Sequence, residues 1–270
     1  MTVEDMTIRL PPFQKLTCGE CRSGAGLDFE FTMAFQPFVE VGTDRVFGYE
    51  ALVRGVNHES AFEILSKVND HNRYRFDQAC RVKAIYLASE LGLHGILSIN
   101  FLPNAIYRAE TCIRATLEAA EEAGFDRNRL MFEVTEGERV TNHAHLLTIF
   151  TEYKKQGFKT AIDDFGAGYS GLNLLAQFQP DFIKIDMELT RNIDKDPVRQ
   201  AIVSGIVETC RLLDLRIIAE GIESAEEYRF LRSRDIRLFQ GYLFARPGHQ
   251  SLPEVSLDAR QLLLESPVPR

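Results

Sequence analysis

Glu50, Asn100, Glu133, Asp163, Asp164, Lys184 and Glu220 each stand at or near the end of a short apolar stretch, and Glu136 follows Glu133 by three positions. A single acid in such a place usually ends in a surface ion pair. Acids and amides that recur with the same parity on one stretch after another bring oxygen ligands to one point, which is what hard divalent cations require. Clustered carboxylates repel one another, and burial makes the repulsion worse, so without cations the set costs stability. Asp163 and Asp164 are adjacent and precede the Gly-rich turn FGAGYSGL. Each can offer oxygens to a different ion, and two ions about 3.5–4 Å apart form the clamp used for in-line displacement at phosphorus. Asn100 adds a neutral oxygen that limits charge crowding. An all-oxygen donor set suits magnesium or manganese better than zinc. Lys184 among these acids can hold a water, take part in its deprotonation or stabilise charge on phosphoryl oxygens; the competing reading is an ion pair inside the acid ring.

Other chemistries lack their residues. His58, His71, His94, His143, His145 and His249 do not fall at strand ends, which disfavours a histidine-rich zinc hydrolase. The chain has no GxSxG motif, no P-loop signature and no cysteine beside a candidate base. Cys18 and Cys21 form one CxxC, without the second pair or the histidines that a zinc site needs.

The stretches that carry these residues read as strands: FTMAFQPFVEV, VFGYEAL, GILSINF, RLMFEVT, KTAIDD, DFIKID, RIIAE and LFQGYLF. Helical patterns separate most of them: RFDQACRVKAIYLASELG, CIRATLEAAEEAG, HAHLLTIFTEYKKQG, LNLLAQF, VRQAIVSGIVETCRLL and AEEYRFLRSR. Alternation of this kind predicts an α/β fold with a parallel barrel. The first two strands are joined only by the turn GTDR, which predicts an antiparallel pair and hence a modified barrel. Period-two alternation sorts each strand: Ser98 and Asn100 oppose Ile99 and Phe101, Glu133 opposes Phe132 and Val134, Asp163 opposes Ile162, Lys184 and Asp186 oppose Ile183 and Ile185, and Glu220 opposes Ala219. The apolar face should meet the helices and the polar face the barrel mouth, where catalytic groups of such barrels stand at the C-terminal ends of several strands. Residues 1–25 read as an N-terminal tail, 26–250 as one catalytic domain and 251–270 as a C-terminal tail with a short helix.

The 270 residues, 45% of them apolar, suffice for one large core. A net charge of −8 argues against a protein that tracks polymeric nucleic acid, which needs a basic stripe. It leaves room for a small phosphate ester, because bound cations invert the sign of an acidic pocket. No apolar run is long enough to span a bilayer, the N-terminus has no signal pattern, and the five cysteines fit reduced thiols, so the expected location is the cytoplasm, away from membranes.

AFQPFVE, YEALVR, FEVTEGE, AIDDFGAGYSGL, IKID, IAEGIE and QGYLFARP, in that order, resemble the EAL-domain phosphodiesterases of cyclic di-GMP over roughly residues 28–250. The resemblance implies a modified TIM (β/α)8 barrel with one antiparallel strand, and hydrolysis of cyclic di-GMP to linear pGpG with Mg²⁺ or Mn²⁺ in a two-metal site. By motif, Glu50, Asn100, Glu133, Asp163, Asp164 and Glu220 match metal ligands, and Lys184 matches the lysine that contacts the catalytic water. Glu136 matches the acid that braces the loop beginning at Asp164, a loop expected at a homodimer interface. Gln36, Arg54 and Asp164 match substrate contacts, with Gln240 close by; Asp186 and Glu223 match supporting positions. The chain reads NFLPNA where many members have a serine shortly after the metal asparagine, and GAGYSGL where GTGYSSL is common; neither change removes a ligand. VNDHNRYRFDQACRVKAI is most similar to EAL domains attached to blue-light-sensing BLUF domains. Neither that sensor nor a GGDEF domain fits in 270 residues, so the expectation is a stand-alone EAL protein. The alternative is a non-catalytic relative, a cyclic di-GMP receptor or a binder of a regulatory protein; such relatives usually lose ligands or the lysine, and this chain keeps them.

Overall fold

The computed structural model describes residues 20, 24, 26–43, 45–105, 109–135, 143–168 and 171–265. Its strands are β1 (Thr32–Glu40), β2 (Val46–Arg54), β3 (Ile96–Asn100), β4 (Leu130–Thr135), β5 (Lys159–Phe165), β6 (Phe182–Ile185), β7 (Arg216–Ala219), β8 (Leu238–Gln240) and β9 (Gly248–His249). The order β2-β3-β4-β5-β6-β7-β8-β1 closes on itself through the β1–β2 pair. Every pair from β2 to β8 is parallel, and β1 runs antiparallel to both of its barrel neighbours. This is an eight-stranded α/β barrel of TIM type with one reversed strand, as the alternation and the GTDR turn predict. The short β9 is an addition, lying antiparallel to β1 at Ala34 and Phe35.

The helices are α1 (Ala61–Leu65), α2 (Arg73–Glu90), α3 (Ala109–Glu122), α4 (His143–Lys155), α5 (Gly171–Gln177), α6 (Met187–Thr190), α7 (Pro197–Leu212), α8 (Ala225–Ser233) and α9 (Leu257–Leu264). Local chemistry fixes their starts. Asp196 accepts from the amides of Val198 and Arg199, and Pro197 occupies the first helical turn, where a missing N–H costs nothing. Ser60 with Glu63 and Ser224 with Glu227 form reciprocal capping boxes at α1 and α8. No helix among the described residues is long and apolar enough to cross a membrane. The predicted strand LFQGYLF ends at Gln240, because Gly241 turns the chain against the backbone of Ile222, where an added Cβ would come within 2.1 Å of the Ile222 carbonyl.

Burial follows the pleat. One face of each strand packs outward against the helices, in clusters that include Phe35, Phe132, Ile162, Ile185 and Phe239. The other face fills the barrel axis with Phe38, Ile96, Met131, Ala161, Phe182, Ile218 and Leu238. Gly48 belongs to that layer because the ring of Phe38 stands where its Cβ would be, 2.4 Å away. Two residues further toward the mouth, the inward positions are Gln36, Glu50, Ser98, Glu133, Asp163, Lys184, Glu220 and Gln240.

Candidate active site at the barrel mouth

The mouth is built by that two-residue step. Register pairs Gln36 with Glu50, Glu50 with Ser98 and Asn100 with Glu133, so polar side chains from neighbouring strands stand level. Asp164 reaches the mouth by a different device. Adjacent residues on a strand point to opposite faces, so Asp163 and Asp164 cannot both face inward on a regular β5. The register of β5 against β6 slips between Ile162 and Phe165, and Asp164 takes φ 52°. A left-handed backbone is uncommon outside glycine, and here it swings the Asp164 carboxylate back over the barrel. Its amide donates to Asp163 Oδ1 at 2.9 Å.

Lys184 is the hub. Its side chain is 1% exposed, and Nζ lies 2.7 Å from Glu133 Oε2, 2.8 Å from Glu220 Oε1, 3.0 Å from Asp163 Oδ1 and 3.2 Å from Glu50 Oε2. Burial opposes its charge, but those four carboxylates outweigh burial and raise its pKa well above the usual value. Glu50 is held from two further sides, by Asn100 Nδ2 and Gln240 Nε2, both at 2.8 Å. Ser98 donates its hydroxyl to Glu133 Oε1. Burial pushes the Glu133 carboxyl up to about 8, against the pull of Lys184. Burial, then Asp163, holds Glu220 well above the carboxylate range. Asp164 rises to about 6 through desolvation, then through Asp163 and Asp186.

Oxygens of Glu50, Glu133 and Asp163 form one group lying within 4.8 Å of one another, and Asp163, Asp164 and Glu220 form a second, sharing Asp163. Five carboxylates and one ammonium leave a formal charge of −4 in a largely buried cluster, which two divalent cations would cancel. The donor set fits hard cations, and Asn100 at its edge offers a neutral oxygen. Above it opens a cleft of about 220 Å³ lined by Gln36, Glu50, Asp164, Asp186, Glu220 and Gln240, with Met187 and Tyr242 at the rim. Asp186 caps α6 through the Glu188 amide, and Glu223 lines the cleft while paired with Arg191 at 2.6 Å.

The structure brings Glu50, Asn100, Glu133, Asp163, Asp164, Lys184 and Glu220 together at the mouth, with Gln36 and Gln240 beside them. Arg54 stands apart. It lines a neighbouring, mainly apolar cavity of about 260 Å³ that Asn100 also borders, and it donates to the carbonyl of Val53. Glu136, Cys18 and Cys21 lie outside the described residues. Parity puts Ser98 on the same face as Asn100, but residue type alone assigns it no role; the structure shows it bonded to Glu133. Met187, which directly follows Asp186, and Tyr242, which ends the Gln240-Gly241-Tyr242 run, are half-exposed side chains on the rim to which motif reading assigns no role.

The sequence profile of the EAL domain matches residues 25–247. Among curated relatives, the blue light- and temperature-regulated antirepressor BluF of Escherichia coli K12 is 31% identical over 83% of this chain and 56% of its own length. The cyclic di-GMP phosphodiesterase PdeR of the same organism is 38% identical over 51% of this chain and 21% of its own. The chain therefore spans about half the length of BluF and about a fifth of PdeR. Among solved structures, a standalone versatile EAL protein from Vibrio cholerae O395, in its c-di-GMP-bound form, superposes with TM-score 0.83 at 56% identity, covering 86% of this chain and 98% of that one. BlrP1 of Klebsiella pneumoniae, in a manganese and cyclic di-GMP complex at pH 6, superposes with TM-score 0.79 at 39% identity, over 84% of this chain and 58% of that one.

Proposed function

The chain belongs to the EAL-domain family, and on that premise we propose that it hydrolyses cyclic di-GMP to linear pGpG in the cytoplasm, with Mg²⁺ or Mn²⁺ at the barrel mouth. The observation that carries this reading is the pair of overlapping oxygen groups that share Asp163 around Lys184. Glu50, Asn100, Glu133, Asp163, Asp164 and Glu220 would hold the cations. When bound, two such ions acidify a water toward pKa ~7 and neutralise the phosphodiester.

The chain's own residues do the rest. Lys184 orients the attacking water and faces the negative charge that grows on the phosphoryl oxygens. The water oxygen bonds to phosphorus, the P–O3′ bond opens, and the 3′ oxygen takes a proton, which leaves a 5′ phosphate. Gln36 and Gln240, linked at 3.4 Å, fix one wall of the cleft and keep Glu50 in place. Arg54 is assigned to a phosphate or base edge entering the neighbouring cavity, and Asp186 and Glu223 to support of the rim. Glu136 is assigned to bracing the loop that starts at Asp164. That loop leads to Leu172, exposed at 68%, and α7 exposes Val198, Ile202 and Leu212, apolar surface that favours a homodimer.

A second reading, a non-catalytic regulator that engages a protein partner, is favoured by the name antirepressor of the relative BluF. Incubation with cyclic di-GMP and Mn²⁺ or Mg²⁺, with products separated by chromatography, decides between them. Accumulation of pGpG, abolished by EDTA, supports the enzyme. Tight binding of intact cyclic di-GMP with no product in either metal supports the regulator.

A further inference from the structure

The active-site reading leaves one buried charged pair without work. Asp77 and Arg81, one turn apart on α2, are 3% and 0% exposed, and Asp77 Oδ2 lies 2.6 Å from Arg81 Nη2. Taking two charges out of water costs several kcal/mol per ion, and well-packed apolar residues often serve stability as well or better. Burial alone therefore does not account for the pair.

Its contacts point toward the mouth. Asp77 Oδ1 accepts the backbone amide of Leu102 at 2.9 Å, two residues past Asn100. The amide of the intervening Phe101 donates to the carbonyl of Glu133 at 3.0 Å. The chain leaving Asn100 is thus clamped at two successive amides, by β4 on one side and by a carboxylate of α2 on the other. Pro103 follows and has no amide of its own to add. Arg81 fixes the carboxylate: its Nη1 donates to the Tyr153 hydroxyl at 2.7 Å, and its guanidinium lies 5.3 Å from the ring centroid of Phe132 and 5.7 Å from that of Phe101. Those two rings flank Glu133 and Asn100 in the sequence. One rigid unit therefore backs two side chains of the mouth.

We infer that Asp77 is a positioning residue, which through the Leu102 amide sets where the Asn100 side chain stands, with Arg81 as the partner that keeps its carboxyl group aimed. The inference rests on the reading of the mouth as a cation site. Loss of the acceptor oxygen at 77 would free the Leu102 amide and let the Asn100 amide drift from Glu50.

The test uses pairs of substitutions that remove both charges together, so that no unpaired ion is left inside. Asp77→Asn with Arg81→Met keeps an oxygen for the Leu102 amide; Asp77→Leu with Arg81→Met does not. Mn²⁺ binding is measured by calorimetry on the full chain, alongside thermal melts. Wild type and the Asn/Met variant should bind alike, and the Leu/Met variant should bind about 10–100-fold more weakly, the usual scale for losing an outer-shell partner. In an Asn100→Ala background the Leu/Met pair should cost no further affinity, since it acts through Asn100. Equal affinity in the Asn/Met and Leu/Met variants overturns the inference, as does a full additional loss on top of Asn100→Ala. Wild type that takes up no Mn²⁺ at all removes the cation-site reading itself and this inference with it. Hydrogen exchange of the wild-type Leu102 amide checks the clamp without any substitution: slow exchange is expected, and exchange as fast as in a free loop overturns it.

Discussion

The two ends of the barrel lie one pleat apart and are built on opposite terms. At the bottom, Phe38, Met131, Phe182 and Leu238 fill the axis, and Arg216 closes it, stacked 4.5 Å over Phe47 and paired with Glu40 at 2.7 Å. That cation is half in water and gives up little hydration. At the mouth, Lys184 is wholly buried and faces four carboxylates, two of which are pushed far above their usual pKa. The bottom layer lowers the free energy of the fold through apolar area. The mouth raises it by crowding like charges, a strain that makes sense only if something of opposite sign comes to relieve it. Stability and chemistry are thus separated along the strands rather than between domains.

That separation predicts mutants of opposite kinds. Glu50→Ala should give the largest change: it removes a carboxylate that touches Lys184, Asn100 and Gln240, and cyclic di-GMP turnover should fall on the order of 10³-fold, a loss of several kcal/mol of transition-state stabilisation. The melting temperature should hold or rise. A folded Glu50→Ala protein with near-normal rate would erase the distinction between the ends.

Phe182→Ala is its mirror image. Losing a fully buried ring from the bottom layer should cost about 3–5 kcal/mol of stability. Turnover per folded molecule, measured well below the melt, should stay close to wild type. If the rate per folded molecule falls as it does for Glu50→Ala, the bottom is not merely a plug.

A smaller effect concerns pH. Without cations, burial holds the Glu133 carboxyl up at about 8 in the folded protein, against 4.5 for an ordinary glutamate, and Asp164 at about 6, against 3.8 for an ordinary aspartate. The folded state then keeps protons that the unfolded chain has released, so stability falls as pH rises from about 4 to 8. The raised Lys184 contributes stability that is fully present throughout that window. Melts in EDTA at pH 5, 6.5 and 8 should decline in that order, and Mn²⁺ should flatten the decline, because cations bind the deprotonated acids. A rising series in EDTA would mean that the mouth is not strained. The smallest change is expected for Arg216→Ala: about 1 kcal/mol of stability from a stacked, half-exposed ion pair, with turnover unaffected.

Much of the mouth was readable from the sequence because a barrel interior obeys parity. Asn100, Glu133, Asp163, Lys184 and Glu220 each sit opposite an apolar neighbour, and that alone assigns them a face. Parity fails at Asp164, which needs a bulge and a left-handed backbone to face the same way as Asp163. It is silent on Gln36 and Gln240, which meet through strands 204 residues apart. Asp77 and Arg81 were hidden for another reason: they are charged residues on a helix face that turns inward, where periodicity expects apolar side chains. The five-residue α1 is too short to show a period, although its Ser60–Glu63 capping box is plain in the sequence.

The central claim is that the charges of the mouth serve the transition state rather than the fold or the grip on substrate, and Lys184→Ala tests it most directly. Cyclic di-GMP binding in the presence of Ca²⁺ and the single-turnover rate at saturating substrate with Mn²⁺ are to be measured on the same preparation. A positioned charge or donor aimed at the negative charge that grows in the transition state is worth about 10²–10³-fold, so the rate should fall on that scale while binding stays measurable. Binding abolished with the saturated single-turnover rate unchanged would contradict the account and make the lysine an anchor for substrate.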